Sequence, residues 1–173
     1  IVKNPLNTAT DRLAFSLAFD KVHWVMNEAG KEIQFDSRDG KVSFKTPIPP
    51  NDSSKLSIRY ERKFSAYGRS GTISEKNSWL LYESNWYPQF PAAVENLPRY
   101  SFDVSITVPD TLAAVSSGAL VENTDVAGKK TFRWKSDTPV FALSVSAAKY
   151  DIKEHQRENV RVVTYLYPEH AVR

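Results

Sequence analysis

Tyr100, Phe102, Val104, Ile106 and Val108 occupy every second position of a nine-residue run, with Ser101, Asp103, Ser105 and Thr107 between them. A period of two puts the ring and aliphatic side chains on one face of an extended chain and the polar ones on the other, so this run is predicted to be a strand with one dry face. The same beat recurs in Leu13, Phe15, Leu17 and Phe19 and in Leu56, Ile58 and Tyr60. Further strands are predicted over 130–135, 140–148 and 160–167. Turn-forming residues (27–30, 38–40, Ser117-Gly118, Ala127-Gly128, 136–139) separate β-rich segments, which favours antiparallel neighbours. No segment keeps the 3.6-residue period of an amphipathic helix for three turns. The expected fold is all-β, an antiparallel two-sheet β sandwich, with residues 1–173 forming a single β domain.

With 25% charged and 41% hydrophobic residues in 173, the chain has the composition of a globular domain. A chain of that length buries roughly 70% of its unfolded surface, enough for one sizeable core. The absence of Cys excludes disulfides and thiolate zinc sites. The net charge is only +3, and acids interleave with bases, as in Arg59, Glu61, Arg62 and Lys63. No continuous phosphate track results, which argues against nucleic acid as a partner. The longest apolar stretches, 79–82 and 140–145, fall far short of the ~20 residues that cross a bilayer, so no membrane contact by this chain is expected. Residues 1–5 lack the pattern of a signal peptide and an initiator Met, as in a piece excised from something longer.

Few residues can carry chemistry. His23, His155 and His170 are isolated in sequence, without the spacing that makes two zinc ligands converge. His23 reads as a sheet residue and His155 as part of a solvated turn. Gly68-Arg69-Ser70-Gly71 has the wrong spacing for a nucleophile elbow and reads as a turn. The glycines are too scattered to cradle a phosphate. Asn51-Asp52-Ser53 satisfies the glycosylation triplet and supports only a surface loop.

Between Gly68 and Arg99 the strand beat gives way to a Pro-punctuated connection rich in aromatics, and such long connections often carry function. Its centre, residues 79–91, holds Trp79, Tyr82, Trp86, Tyr87 and Phe90 around a single carboxylate, Glu83. These rings could line a cleft for a peptide or a sugar, although the commoner fate of aromatics is to fill a core. Glu83 either pairs with a ligand or partner, because a carboxylate among apolar groups is costly to bury unpaired, or stands idle in water.

Three segments carry a resemblance when taken in order: Trp86-Tyr87-Pro88-Gln89, the alternating strand that ends in Val108-Pro109, and Ala114-Val115-Ser116-Ser117-Gly118. Leu56-Ser57-Ile58-Arg59-Tyr60-Glu61 upstream and the segments 131–134 and 138–145 downstream add to it. Together they resemble the N-terminal β domain of the aminopeptidase N-type (gluzincin) zinc metallopeptidases, over essentially the full length. The family's His-Glu-x-x-His signature, its downstream Glu and its Gly-Ala-Met-Glu-Asn motif belong to a second domain and do not occur in this sequence.

The resemblance implies a non-catalytic domain cut from a longer metallopeptidase-like protein, with zinc bound only in the absent catalytic domain and an extracytoplasmic or membrane-associated parent. Without a metal and general base the piece could not hydrolyse a peptide by itself. Its partners would be the parent's own catalytic domain and the peptide substrate. In several members this domain lends an acidic or amide side chain to the substrate's N-terminal ammonium. Glu83 is the nearest candidate, although it sits closer to Pro88 than the family residue does. Trp86, Tyr87 and Gln89 complete the expected substrate-binding set. The alternative is a free-standing carbohydrate- or protein-binding β-sandwich module that stacks sugars on Trp79, Trp86 or Tyr87.

Overall fold

A computed structural model of the protein describes residues 1–4, 6–90 and 98–170; Pro91, at the end of the aromatic run, lies outside the described residues. The chain forms two compact units, Ile1–Phe64 with Glu83–Pro98, and Ser65–Tyr82 with Arg99–Arg173. Every strand pairing among the described residues is antiparallel. The helical elements among the described residues are single 3-10 turns, and no helix there is long and apolar enough to cross a membrane.

The first unit is built from β1 (Val2–Lys3), β2 (Thr10–Ser16), β3 (Lys21–Met26), β4 (Phe35–Arg38), β5 (Lys41–Ile48), β6 (Ser53–Ser54) and β7 (Ser57–Glu61). They pair as β2-β5-β4, β3-β7 and β1-β6. Asp39 (φ 50°) and Gly40 (φ 69°) make the two-residue turn of the β4–β5 hairpin, the left-handed pair that matches the twist of tight hairpins. Alternation sends Leu13, Phe15, Val42, Phe44 and Ile48 inward, where they meet Val25 of the other sheet and the rims of Ile58 and Tyr60. Two half-apolar sheets thus share one dry layer. The predicted strand through Phe19 stops at Ser16 because the next amides leave the ladder: Leu17 N donates to Gly40 O (2.9 Å) and Ala18 N to Asn85 O (2.7 Å). Leu17 is nevertheless fully buried.

The second unit contains β8 (Gly71–Ile73), β9 (Asn77–Leu80), β10 (Asp103–Pro109), β11 (Ala113–Ser116), β12 (Ala119–Val126), β13 (Lys129–Lys135), β14 (Val145–Ala148), β15 (Asp151–Arg157) and β16 (Val160–Leu166). The sheets are β10-β13-β12, β11-β14-β9-β8 and the ribbon β15-β16. Val104 lies opposite Trp134, and Ile106 opposite Phe132. This inner face packs on Ala114 and Ala147 of the four-stranded sheet, and the Trp134 indole N–H donates to Ala114 O (3.2 Å) in the buried layer.

Several details differ from the sequence expectation. The alternating strand starts at Asp103, since Tyr100 makes only an isolated bridge to Val140. Of the strand expected over 140–148, only Val145–Ala148 forms. The connection expected from Gly68 contains the β8–β9 hairpin, whose strands are too short to show a period. Ser117-Gly118 joins strands of different sheets rather than closing a hairpin. Gly118 has φ +94°, and a Cβ there would overlap the Lys135 carbonyl oxygen, so only glycine fits.

Leu17→Ala should lower stability by about 2–5 kcal/mol, read from denaturant midpoints, because a fully buried leucine leaves a cavity. Gly118→Ala should cost clearly more than Gly30→Ala in the same assay. Gly30 also has positive φ but no atom near its missing Cβ, so only the backbone cost of about 1 kcal/mol applies there.

Candidate functional site

The aromatic-Pro segment is shaped by backbone hydrogen bonding. A 3-10 turn, Tyr82–Ser84, leads to Asn85 in the left-handed region at φ 51°, where Asn is among the better-tolerated non-glycine residues. Past that turn, Ala18 binds the Asn85 carbonyl, and Gln89 joins the end of β2 through two bonds, Ser16 N to Gln89 O (2.8 Å) and Gln89 N to Ser16 O (2.9 Å). Between these anchors the Trp86 carbonyl accepts a short hydrogen bond from the Tyr60 hydroxyl. The Trp86 and Tyr87 rings meet edge to face at 5.0 Å and 75°, and Phe90 lies against Phe15 at 4.8 Å.

This geometry distributes the four sequence-predicted site residues unevenly. Tyr87 and Gln89 are buried, with 8% and 5% exposure. Trp86 is half-buried, and Glu83 is exposed on the 3-10 turn. Trp79 belongs to β9 of the other unit, where it lies opposite Ser146 and Thr72. Chemically, an exposed carboxylate on a short turn can pair with a cationic group, and a half-buried indole three residues further along the chain offers apolar contact.

Solved structures share this fold. An M1 zinc metallopeptidase mutant from Deinococcus radiodurans, bound to a Tyr-Ser-Ala substrate, aligns with a TM-score of 0.73 at 18% identity, over 95% of this chain and 44% of that one. The M1 zinc metallopeptidase from the same organism without the mutation aligns at 0.72 and 18% identity, over 90% and 39%. A two-domain M1 zinc metallopeptidase mutant bound to L-arginine aligns at 0.73 and 20%, over 90% and 39%. This chain has the fold of part of an M1 zinc metallopeptidase. It spans about two-fifths of the length of those chains. No protein-family model and no curated protein sequence matches it.

The zinc named for such neighbours has no ligand set among the described residues of this chain. Among the described residues no group of three or more His, Cys, Asp or Glu side chains comes together as a metal site requires. His23 is 3.7 Å from the Glu61 carboxylate. His155 lies on β15 opposite Val162, and His170 stands edge-on to Tyr167. Residues 1–4, 6–90 and 98–170 therefore do not fit a zinc centre, and no catalytic step is assigned to them.

Sequence reasoning missed Tyr60 as a site residue. Its place in the Leu56-x-Ile58-x-Tyr60 alternation marks it as core-facing, but only the tertiary structure shows its hydroxyl holding the aromatic-Pro turn. Burial pushes the Tyr60 phenol up to about 12, since an ionised phenolate is poorly solvated there.

Tyr60→Phe should destabilise the protein by about 1–3 kcal/mol in thermal or chemical melts, because the Trp86 carbonyl loses its donor in a half-dry environment. The phenol is raised relative to its ordinary value of 10.0. The folded state therefore holds its proton longer than the unfolded state, and stability falls as pH rises from about 10 through about 12. That alkaline loss should shrink in Tyr60→Phe.

Proposed function

We propose that this chain is the non-catalytic N-terminal β domain of a zinc aminopeptidase-like protein, shaping one wall of the substrate cleft and binding the peptide N-terminus through Glu83. The observation that carries the reading is the alignment over 90–95% of this chain with only about two-fifths of each peptidase chain, the proportion expected of one domain within a larger enzyme. Two of those neighbours hold a peptide substrate and an amino acid, ligands that carry an α-ammonium group. Glu83 would pair with such an ammonium, and the open part of Trp86 would flank the first side chain. Tyr87 and Gln89, both buried, would bear on the ligand by holding the turn in place.

The partner that supplies the catalytic groups would be a further domain of the same protein. Isolated two-stranded ribbons are marginal in water, and β15-β16 exposes Ile152, Val160, Val162 and Leu166. A covering domain would remove this apolar surface from water.

Reading the coding sequence beyond Arg173 should reveal His-Glu-x-x-His and a downstream Glu; a frame continuing without zinc ligands overturns the peptidase assignment. In the longer protein, Glu83→Gln should raise KM for peptides with a free N-terminus about tenfold or more, the loss of one charge-assisted pair. It should leave N-acetylated peptides unchanged, and equal effects on both would remove Glu83 from ammonium recognition. The 173-residue chain alone should show no metal-dependent peptidase activity.

A further inference from the structure

The outward face of the β2-β5-β4 sheet carries a charge arrangement that folding alone does not favour. Arg12 lies directly opposite Lys45, and Arg38 directly opposite Lys41. Directly opposed residues of antiparallel strands project from the same face, and like charges so placed destabilise a sheet. Arg38 has its own acid, with Nη2 2.8 Å from the Asp36 carboxylate. The Arg12 guanidinium instead donates to the Ser43 hydroxyl (3.2 Å) at the middle of the face. Small side chains, Ala14 and Ser43, leave the centre low. Two adjoining hollows result, of about 520 and 420 Å³, which share Arg12, Asp36 and Ser43. The first hollow ends at Arg38, Asp39 and Lys41, the second at Lys45; the cations outnumber the carboxylates of Asp36 and Asp39 in the first and that of Asp36 in the second.

We propose that this face is an anion-binding site for phosphate groups, one hollow closed by Lys41 and the other by Lys45, with Arg12 between them. A guanidinium held in place by a hydroxyl presents its remaining N–H groups as a planar fork that matches phosphate oxygens, and the lysines add point charges without demanding geometry. Lys41 and Lys45 are four residues apart on one strand, about 13 Å, so two separate phosphate groups can be held rather than one. An anion there would offset both like-charge pairs, so binding and sheet stability are coupled. The phosphate can belong to a small free molecule or to a lipid headgroup; the chemistry recognised is the same. The site is independent of the Glu83 turn.

The test is calorimetric titration of the 173-residue chain with sodium pyrophosphate at low salt, beside sedimentation with phosphatidylcholine vesicles with and without phosphatidic acid. Saturable pyrophosphate binding without vesicle binding supports a free ligand; sedimentation only with phosphatidic acid supports a headgroup. Lys41→Gln with Lys45→Gln should weaken binding about tenfold or more. Lys45→Gln, which removes the charge without adding a β-branched side chain, should raise the Tm of the ligand-free protein at low salt while weakening binding, opposite signs that a merely solvated surface lysine would not produce. Failure of both pyrophosphate and phosphatidic acid to bind overturns the proposal, as does unchanged affinity in the double variant. Neither result bears on Glu83, whose reading is tested by peptide KM.

Discussion

Each alternating strand of this protein has one face that water cannot comfortably wet, and a sheet made of such strands is stable only when a second sheet covers that face. Both units meet this demand in the same way. Leu13, Phe15, Val42 and Phe44 close on Val25 in one, and Phe132 and Trp134 close on Ala114 and Ala147 in the other. Dry layers of this kind admit polar atoms only when these are paired. The Trp134 indole N–H accordingly finds the Ala114 carbonyl, and the Tyr60 hydroxyl finds that of Trp86.

The second of those pairings links packing to the candidate site. The aromatic-Pro segment is attached to the end of β2 at Gln89, to Ala18 just past β2 at Asn85, and to β7 through Tyr60. With backbone and core both engaged, Tyr87, Gln89 and Phe90 face inward, and the polar end of the segment, Glu83, is left in water. Glu83 thus stands in water next to a segment that these contacts tie down, the placement on which the ammonium recognition proposed for it depends.

Charge on the sheet surfaces follows two different patterns. On β10-β13-β12 the Arg133 guanidinium grips Asp103 with two hydrogen bonds of 2.8 and 2.7 Å. That grip holds the Asp103 carboxyl below its ordinary range. On β15-β16, Arg161 grips Glu154 similarly. Those cross-strand pairs are exposed, so they contribute modestly to stability and help set register. The β2-β5-β4 face opposes cations to cations instead, and this contrast within one chain is what marks that face as a place for a ligand.

Fold class was legible in the sequence because alternation is a local property: 103–109, 13–16 and 57–61 show their buried faces in their own residue order. Hairpins closed by Asp39-Gly40 and Ala127-Gly128 were legible for the same reason, since a two-residue turn depends on its own φ values. What lay beyond reach was non-local. Residues 141–144 have strand-like composition yet lie outside any strand. β12 is exposed along its whole length and shows no dry face to read. Ser117-Gly118 looks like a hairpin turn, but whether it joins neighbours or passes between sheets is settled by which strands are free to pair. At the candidate site, the sequence by itself determined only that Trp86, Tyr87 and Phe90 follow Glu83 closely along the chain, while Trp79, equally near in sequence, belongs to β9 of the other unit. Only the tertiary structure decided that Tyr87 and Gln89 turn inward, that Tyr60 anchors the turn, and that Arg12 and Lys45 share one face, because each of these depends on contacts between residues some 26 to 73 positions apart in the chain.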